Sequence, residues 1–178
     1  MTARKGLIVA LLHLAIVGSL GAKLLVDRET LPRVWVRTAP VDPSLPIRGR
    51  YVQLRIELER GPGLIFVPAK PITLPDGRTW VEPTTPVAVT LTVQGDKLVA
   101  LPANRSDHHA RELIRDGETI AALHEPLAFF IPEHAIDPSI RPRGEELWVE
   151  VSVPRNGPPR PIRLGVKKDG QLTPLALR

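Results

Sequence analysis

Proline is the residue that most restricts how this chain can fold. It fills 20 of the 178 positions, about 11% where roughly 5% is usual. Each proline removes a backbone donor and clashes with the preceding helical turn, so a helical bundle is excluded. One stretch escapes this punctuation, the N-terminal apolar segment. Setting aside its first 26 or so residues leaves roughly 150, enough for one domain with a core of its own and too few for two.

Gly6 to Ala22 is an uncharged run of 17 residues, followed by Lys23, Leu24, Leu25 and Val26. At about 1.5 Å rise per residue the run spans about 26 Å, short of a hydrocarbon core near 30 Å. Lys23 snorkelling toward the headgroups extends the span to Val26 and closes the gap. The sequence therefore predicts a transmembrane anchor over residues 6–26 behind a cytoplasmic leader, residues 1–5, that holds Arg4 and Lys5. A cleaved signal peptide shares the basic leader and offers Ser19-Leu20-Gly21 as a cleavage pattern, but the apolar run outlasts a usual signal core and continues past that site. A buried soluble helix is the remaining option. His13, in mid-span, reads as a residue facing a partner or tolerated in lipid. Lys23, Arg28 and Arg33 balance Arg4 and Lys5, so the basic count does not set the orientation. A short leader before a large C-terminal region is the layout of a signal-anchor. That layout predicts a single-pass membrane protein with its domain outside the cytoplasm.

The formal charge of +5 carries little functional meaning. Beyond residue 22 there are 22 basic residues (24 less Arg4 and Lys5) and 19 acidic ones, a net of +3. They alternate, as in Arg55-Ile56-Glu57-Leu58-Glu59-Arg60, giving a mixed solvated face instead of a phosphate-tracking stripe. With only 4% aromatic residues, stacking platforms for bases or sugars are poorly supplied as well. No nucleic-acid partner is expected. The absence of cysteine rules out a disulfide framework and thiol chemistry, and it suits an oxidising periplasm.

Beyond the anchor, apolar residues recur with period two. Val52, Leu54, Ile56 and Leu58 alternate with Gln53, Arg55, Glu57 and Glu59, predicting a strand with the first set facing the core and Gln53, Arg55 and Glu57 facing out. Val87 to Val93 alternate likewise, and Gly95-Asp96 makes a two-residue hairpin that sets Val93 against Leu98 and Leu91 against Ala100. Leu147 to Val153, Ile162 to Val166 and Leu172 to Leu177, separated by Asn156-Gly157 and Asp169-Gly170, read as a three-strand meander. Further strands are expected at Arg33 to Thr38, Leu64 to Val67, Thr79 to Glu82 and Leu127 to Ile131, with Pro75-Asp76-Gly77 as a turn. Ala110, Leu113 and Ile114, behind Ser106-Asp107 and ahead of Gly117, have helical spacing and predict about two turns of helix. Pro71, Pro86, Pro102, Pro132, Pro154 and Pro161 fall at strand ends, where they blunt exposed edges. The expected fold is all-β, an antiparallel sandwich or distorted barrel of about ten short strands preceded by one transmembrane helix. Residues 27–47 form a linker with the first strand, and residues 48–178 the β-domain.

A resemblance to a known family lies in Thr38-Ala39-Pro40-Val41-Asp42-Pro43 and in Ile47-Arg48-Gly49-Arg50-Tyr51-Val52-Gln53-Leu54-Arg55-Ile56. This resembles the bacterial GDYXXLXY family, named for its Gly-Asp-Tyr-x-x-Leu-x-Tyr motif. Gly49, Tyr51 and Leu54 match, whereas Arg50 replaces the Asp and Ile56 the last Tyr. Phe129-Phe130-Ile131-Pro132-Glu133 is similar to the family's aromatic-hydrophobic-Pro-Glu stretch, and the final meander also fits. The resemblance implies a membrane helix with an extracytoplasmic domain and, because such proteins are encoded beside multi-pass membrane proteins, a multi-pass partner. It implies no particular reaction.

Read from the residues alone, Asp42, Pro43 and Gly49 shape the turns that start the strongest strand, with Leu54 in its core and Pro132 closing the second motif. Arg48, Gly49, Arg50, Tyr51 and Glu133 are the candidate binding residues: the Tyr51 phenol at the surface, and Arg48 or Arg50 set to pair with Glu133 or with lipid phosphate. The anchor followed by an Arg-Gly-x-Tyr-Val strand is also similar to signal peptidases, which use a Ser-Lys dyad. The only fitting pair is Ser44 and Lys70, and Ser44 lacks the Ser-x-Met context of those enzymes. Asp107, His108, His109, His124, Glu125, Glu133 and His134 are ligand types without a metal-binding spacing, and Gly61-Pro62-Gly63 is a turn instead of a phosphate loop. No catalytic residue, metal or other cofactor is expected. The leading expectation is a non-enzymatic interaction or accessory module. The alternatives are a Ser-Lys peptidase and a ligand-binding β-sandwich, the latter favoured by an apolar pocket with a few convergent polar groups.

Overall fold

The computed structural model describes residues 2–40, 51–70, 72–73, 79–80, 84–115 and 117–176. It divides into two compact units, residues 1–32 and 33–178.

The first unit is a single helix, α1 (Thr2–Thr30). Its segment Lys5–Asp27, 23 residues with a mean hydropathy of 2.0, is long and apolar enough to cross a membrane, and none of it is buried by the rest of the chain. At about 1.5 Å per residue it extends about 35 Å, more than a hydrocarbon core near 30 Å. Its polar side chains turn back onto the helix. His13 Nδ1 donates to the Val9 carbonyl at 2.8 Å, Ser19 Oγ to Ile16 and Thr30 Oγ1 to Val26, both also at 2.8 Å. Groups satisfied in this way need no water, which is what a hydrocarbon environment demands.

The helix ends at Thr30, and β1 (Arg33–Pro40) begins after Leu31 and Pro32. β1 lies within residues 27–47, the stretch expected to hold the linker and the first strand. Then come β2 (Tyr51–Arg60), β3 (Val67–Pro68), β4 (Ile72–Thr73), β5 (Thr79–Trp80), β6 (Thr84–Thr85) and β7 (Val87–Gln94). The remaining strands are β8 (Lys97–Pro102), β9 (His109–Arg115), β10 (Glu118–Leu123), β11 (Leu127–Phe130), β12 (Glu145–Ser152), β13 (Arg160–Lys168) and β14 (Gln171–Pro174). Ten of these join one sheet, and the short strands pair off as β3 with β6 and β4 with β5.

Strand β2 is the hub, and its ten residues serve two sets of neighbours. Its first half lies antiparallel to β1, with Thr38 opposite Ile56, and to β11, with Leu127 opposite Leu54. Its second half lies antiparallel to β10, with Ala121 opposite Leu58, and parallel to β8, with Glu59 opposite Val99. Continuing through β8–β7, β7–β9 and β9–β10, the hydrogen-bonded path returns to β2 and closes a five-stranded ring. On the other side, β1 leads into β12, β13 and β14, the expected meander. The expected all-β fold is realised as a distorted barrel carrying a sheet extension. Closing the ring removes edges that would otherwise template aggregation.

The core follows the alternation. Val52, Leu54, Ile56 and Leu58 are buried, with Leu54 and Ile56 wholly so, and Val89, Leu98, Leu123, Val149, Val151 and Leu164 complete the interior. The β7–β8 hairpin has the expected register, Leu91 opposite Ala100 and Val93 opposite Leu98. Gly61 ends β2 where backbones crowd: a Cβ there would lie 2.6 Å from the Ala100 carbonyl oxygen, to which Gly61 N–H donates at 3.0 Å.

Three expectations are corrected. The two-turn helix at Ala110 to Gly117 is instead β9, a full ladder with β10 running from Ala110 opposite Leu123 to Arg115 opposite Glu118. Leu113 and Ile114 take opposite sides of that strand, and Ile114 is exposed. The strand expected over Leu64 to Val67 shrinks to Val67–Pro68, because Leu64 turns inward as an isolated core residue. Gln53, Arg55 and Glu57 take the opposite face of β2, as expected, and are partly exposed there. Third, the Tyr51 phenol, expected at the surface, has its oxygen buried, because the ring lies against Phe130.

Candidate functional site

The two stretches that carry the family resemblance lie side by side. In the β2–β11 ladder Tyr51 faces Phe130, Val52 faces Phe129, Gln53 faces Ala128 and Leu54 faces Leu127. Tyr51 is half-buried, its ring 6.4 Å from that of Phe130 at 54° between planes, and its phenol oxygen is buried with no hydrogen-bond partner among the described residues. Ile56, standing where the motif ends in Tyr, packs into the core beside Leu54. Arg48, Gly49 and Arg50, with Asp42, Pro43 and Ser44, lie outside the described residues. Lys70 is exposed, not desolvated as a dyad lysine must be.

Beyond Phe130 the chain makes an ordered turn sequence. Pro132 and Glu133 are exposed, the Pro132 carbonyl accepts from Ala135 N–H at 3.1 Å, and Asp137 Oδ1 accepts from Ser139 N–H and Oγ at 2.8 and 2.7 Å. Ile131, Ala135 and Pro138 are buried, while Phe130, Ile136 and Ile140 are 73%, 83% and 73% exposed. Three large apolar side chains between residues 130 and 140 are thus held toward solvent by a pinned backbone. A rigid apolar display of this kind loses little entropy when another surface covers it.

On the second face of β2 the half-buried charges are paired. Glu57, with 15% of its side chain exposed, bridges Arg115 and Arg37, and Arg37 also reaches Glu146 at 3.1 Å. Glu146 in turn accepts from Trp148 Nε1 at 3.1 Å. Arg37, Glu57, Arg115 and Trp148 line a cleft of about 380 Å³ with Trp35, whose ring lies over Gly165, 2.9 Å from where a Cβ would sit. Glu57 already holds Arg37 and Arg115, and Glu59 holds Lys97, so the cleft reads as a structural network. The alternation of residues 53, 55 and 57 revealed their shared face. The partners of Glu57, Arg37 on β1 and Arg115 on β9, come from pairings far along the chain.

Two further clefts adjoin at the loops following β8 and β12. One, of about 340 Å³, is lined by Arg105, Ser106, His108, Arg155 and Asn156; the other, of about 490 Å³, by Leu123, Pro126, Leu127, Pro159 and Pro161 among others. Asp107 and His108 line both. Ser106 fixes the first loop, its Oγ donating to the Val89 carbonyl at 2.6 Å and accepting from His108 N–H at 3.1 Å. His109 is committed elsewhere: its Nδ1 lies 3.2 Å from Glu125 Oε1. No three His, Asp or Glu side chains among the described residues converge as a metal site. The sequence showed Arg105 and Arg155 only as loop residues, since nothing in their spacing joins two loops about fifty positions apart.

Neither a curated protein nor a solved structure matches the chain. The model of the GDYXXLXY protein family matches residues 14–164, from within α1 to within β13. That match takes in both resembling stretches and the β2–β11 ladder they form, and it covers most of the sequence: the chain belongs to the GDYXXLXY family.

Proposed function

We propose that this protein is a single-pass anchor of a bacterial inner membrane. Its β-domain stands outside the cytoplasm as an interaction or accessory module for a multi-pass membrane protein, with no catalysis of its own. The observation that carries the reading is a 23-residue segment, long and apolar enough to cross a membrane and exposed over its apolar window, that precedes β1 by only a few residues. Burying such a segment in lipid is favourable by roughly 25 cal/mol per Å² of apolar surface, so it needs either a bilayer or a partner. The solvent-facing Phe130, opposite Tyr51 on the motif ladder, and the exposed Ile136 and Ile140 supply apolar contact surface for that partner.

The test uses the absence of cysteine. The full chain is expected to remain with membranes through alkaline extraction, to keep residues 1–26 by intact mass, and, as Asn156→Cys, to react with a membrane-impermeant maleimide from the periplasmic side. A mature start near Leu20 to Lys23, or labelling only after the cytoplasm is opened, refutes the anchoring or the orientation. Cross-linking in native membranes should capture a multi-pass protein through Phe130 or Ile136 positions; capture that survives Ile136→Asp unchanged removes this surface from the reading.

A further inference from the structure

The adjoining clefts differ in chemistry, and together they describe one ligand. The first is polar and cationic. Arg105 and Arg155 reach it from separate loops, and neither has an ion-pair partner among the described residues. The one carboxylate in its wall is Asp107, so two guanidiniums against one carboxylate leave a net of +1 before His108 is counted. The second cleft is apolar, floored by buried Leu123 and Leu127 and walled by Pro126, Pro159 and Pro161. Of its two carboxylates, Asp107 is shared with the first cleft and Glu125 is engaged by His109, and Arg160 also lines its wall. Because Asp107 and His108 belong to both walls, the cationic cleft lies directly beside the apolar one.

Both loops are built to hold this arrangement. Ser106 ties the first to β7, where Val89 N–H also donates to the His108 carbonyl at 2.9 Å and Ala103 N–H to that of Ala88 at 3.1 Å. In the second, Pro154, Pro158, Pro159 and Pro161 each fix a backbone angle around Asn156-Gly157. A site with little freedom to lose binds with less entropic cost. At about 340 and 490 Å³, the two volumes fall in the range of small-molecule sites.

We propose that this groove binds a single-chain amphiphile with one negative charge, its carboxylate or phosphodiester head between Arg105 and Arg155 and its hydrocarbon chain along Leu123, Leu127 and Pro159. Paired guanidiniums recognise a planar or tetrahedral oxyanion through forked N–H donors, and an apolar trough beside them selects a tail over a free inorganic anion. The assignment goes beyond the anchoring reading and does not depend on it.

The probe is a long-chain fatty acid carrying a photoreactive diazirine. It is presented to the full chain in nanodiscs of zwitterionic lipid, with the adducts mapped by peptide mass spectrometry. The acid should label the segments around 123–128 and 158–161 about tenfold more than its uncharged methyl ester, the scale on which one charge-assisted hydrogen bond acts. In Arg105→Gln/Arg155→Gln, labelling of these segments should fall to the ester level while the melting temperature stays unchanged, since both side chains are exposed. Labelling of α1 serves as an independent readout. Groove adducts without helix adducts keep this proposal and count against the anchor. Helix adducts without groove adducts, or groove labelling equal for acid and ester or unaffected by the double substitution, overturn it.

Discussion

Ile56→Tyr restores the last residue of the family motif, and the structure makes a definite forecast for it. Ile56 is wholly buried on β2, opposite Thr38 of β1 and on the same face as Leu54 and Leu58. A tyrosine there must fit a larger side chain into a filled space, which costs about 1–3 kcal/mol in a well-packed core. It also carries a hydroxyl among apolar neighbours, adding about 1–3 kcal/mol if that group finds no partner. Together the loss is roughly 2–6 kcal/mol, out of the 5–15 kcal/mol typical of a domain. For a domain of this size about 2–4 °C is lost per kcal/mol, so the melting temperature should fall by roughly 5–20 °C. Calorimetry of the full chain in a mild detergent measures this, with Ile56→Val as the control expected to cost only about 0.5–1.5 kcal/mol. An unchanged or raised melting temperature for Ile56→Tyr refutes the reasoning: position 56 would then have room and a hydrogen-bond partner for a phenol, and this chain's core would not have been rebuilt around isoleucine.

Tyr51→Ala should cost about 1–3 kcal/mol, less than the 3–5 kcal/mol of a fully buried aromatic, because its ring is half-buried against Phe130. It should weaken capture of the membrane partner more than that loss explains, as read by co-purification beside melting temperature. Glu57→Gln removes the charge shared by Arg37 and Arg115. Leaving two half-buried guanidiniums without it should lower denaturant stability by about 2–4 kcal/mol. Gly61→Ala sets a methyl 2.6 Å from the Ala100 carbonyl oxygen and from Leu101 Cδ2. Moving β8 to relieve this should cost about 1–3 kcal/mol and raise hydrogen exchange first at the β2–β8 junction.

The sequence by itself determined what is local. Period-two burial of residues 52–58, the Gly95-Asp96 hairpin with its register, the final meander and a helix long enough to span a bilayer all follow from spacing within a dozen or two residues. It misread β9 because three apolar residues at 110, 113 and 114 fit a helical stripe as well as a strand. Asp116-Gly117 was a hairpin signal joining it to β10, and only the ladder to β10 decided between the two. Tertiary structure alone decided that β2 passes from the sheet extension to the closed ring, and so brings Tyr51 beside Phe130 and Glu57 between Arg37 and Arg115. It also decided that Arg105 and Arg155 share a cleft. These meetings depend on strand order, which pairing among residues distant in sequence establishes and no local periodicity encodes.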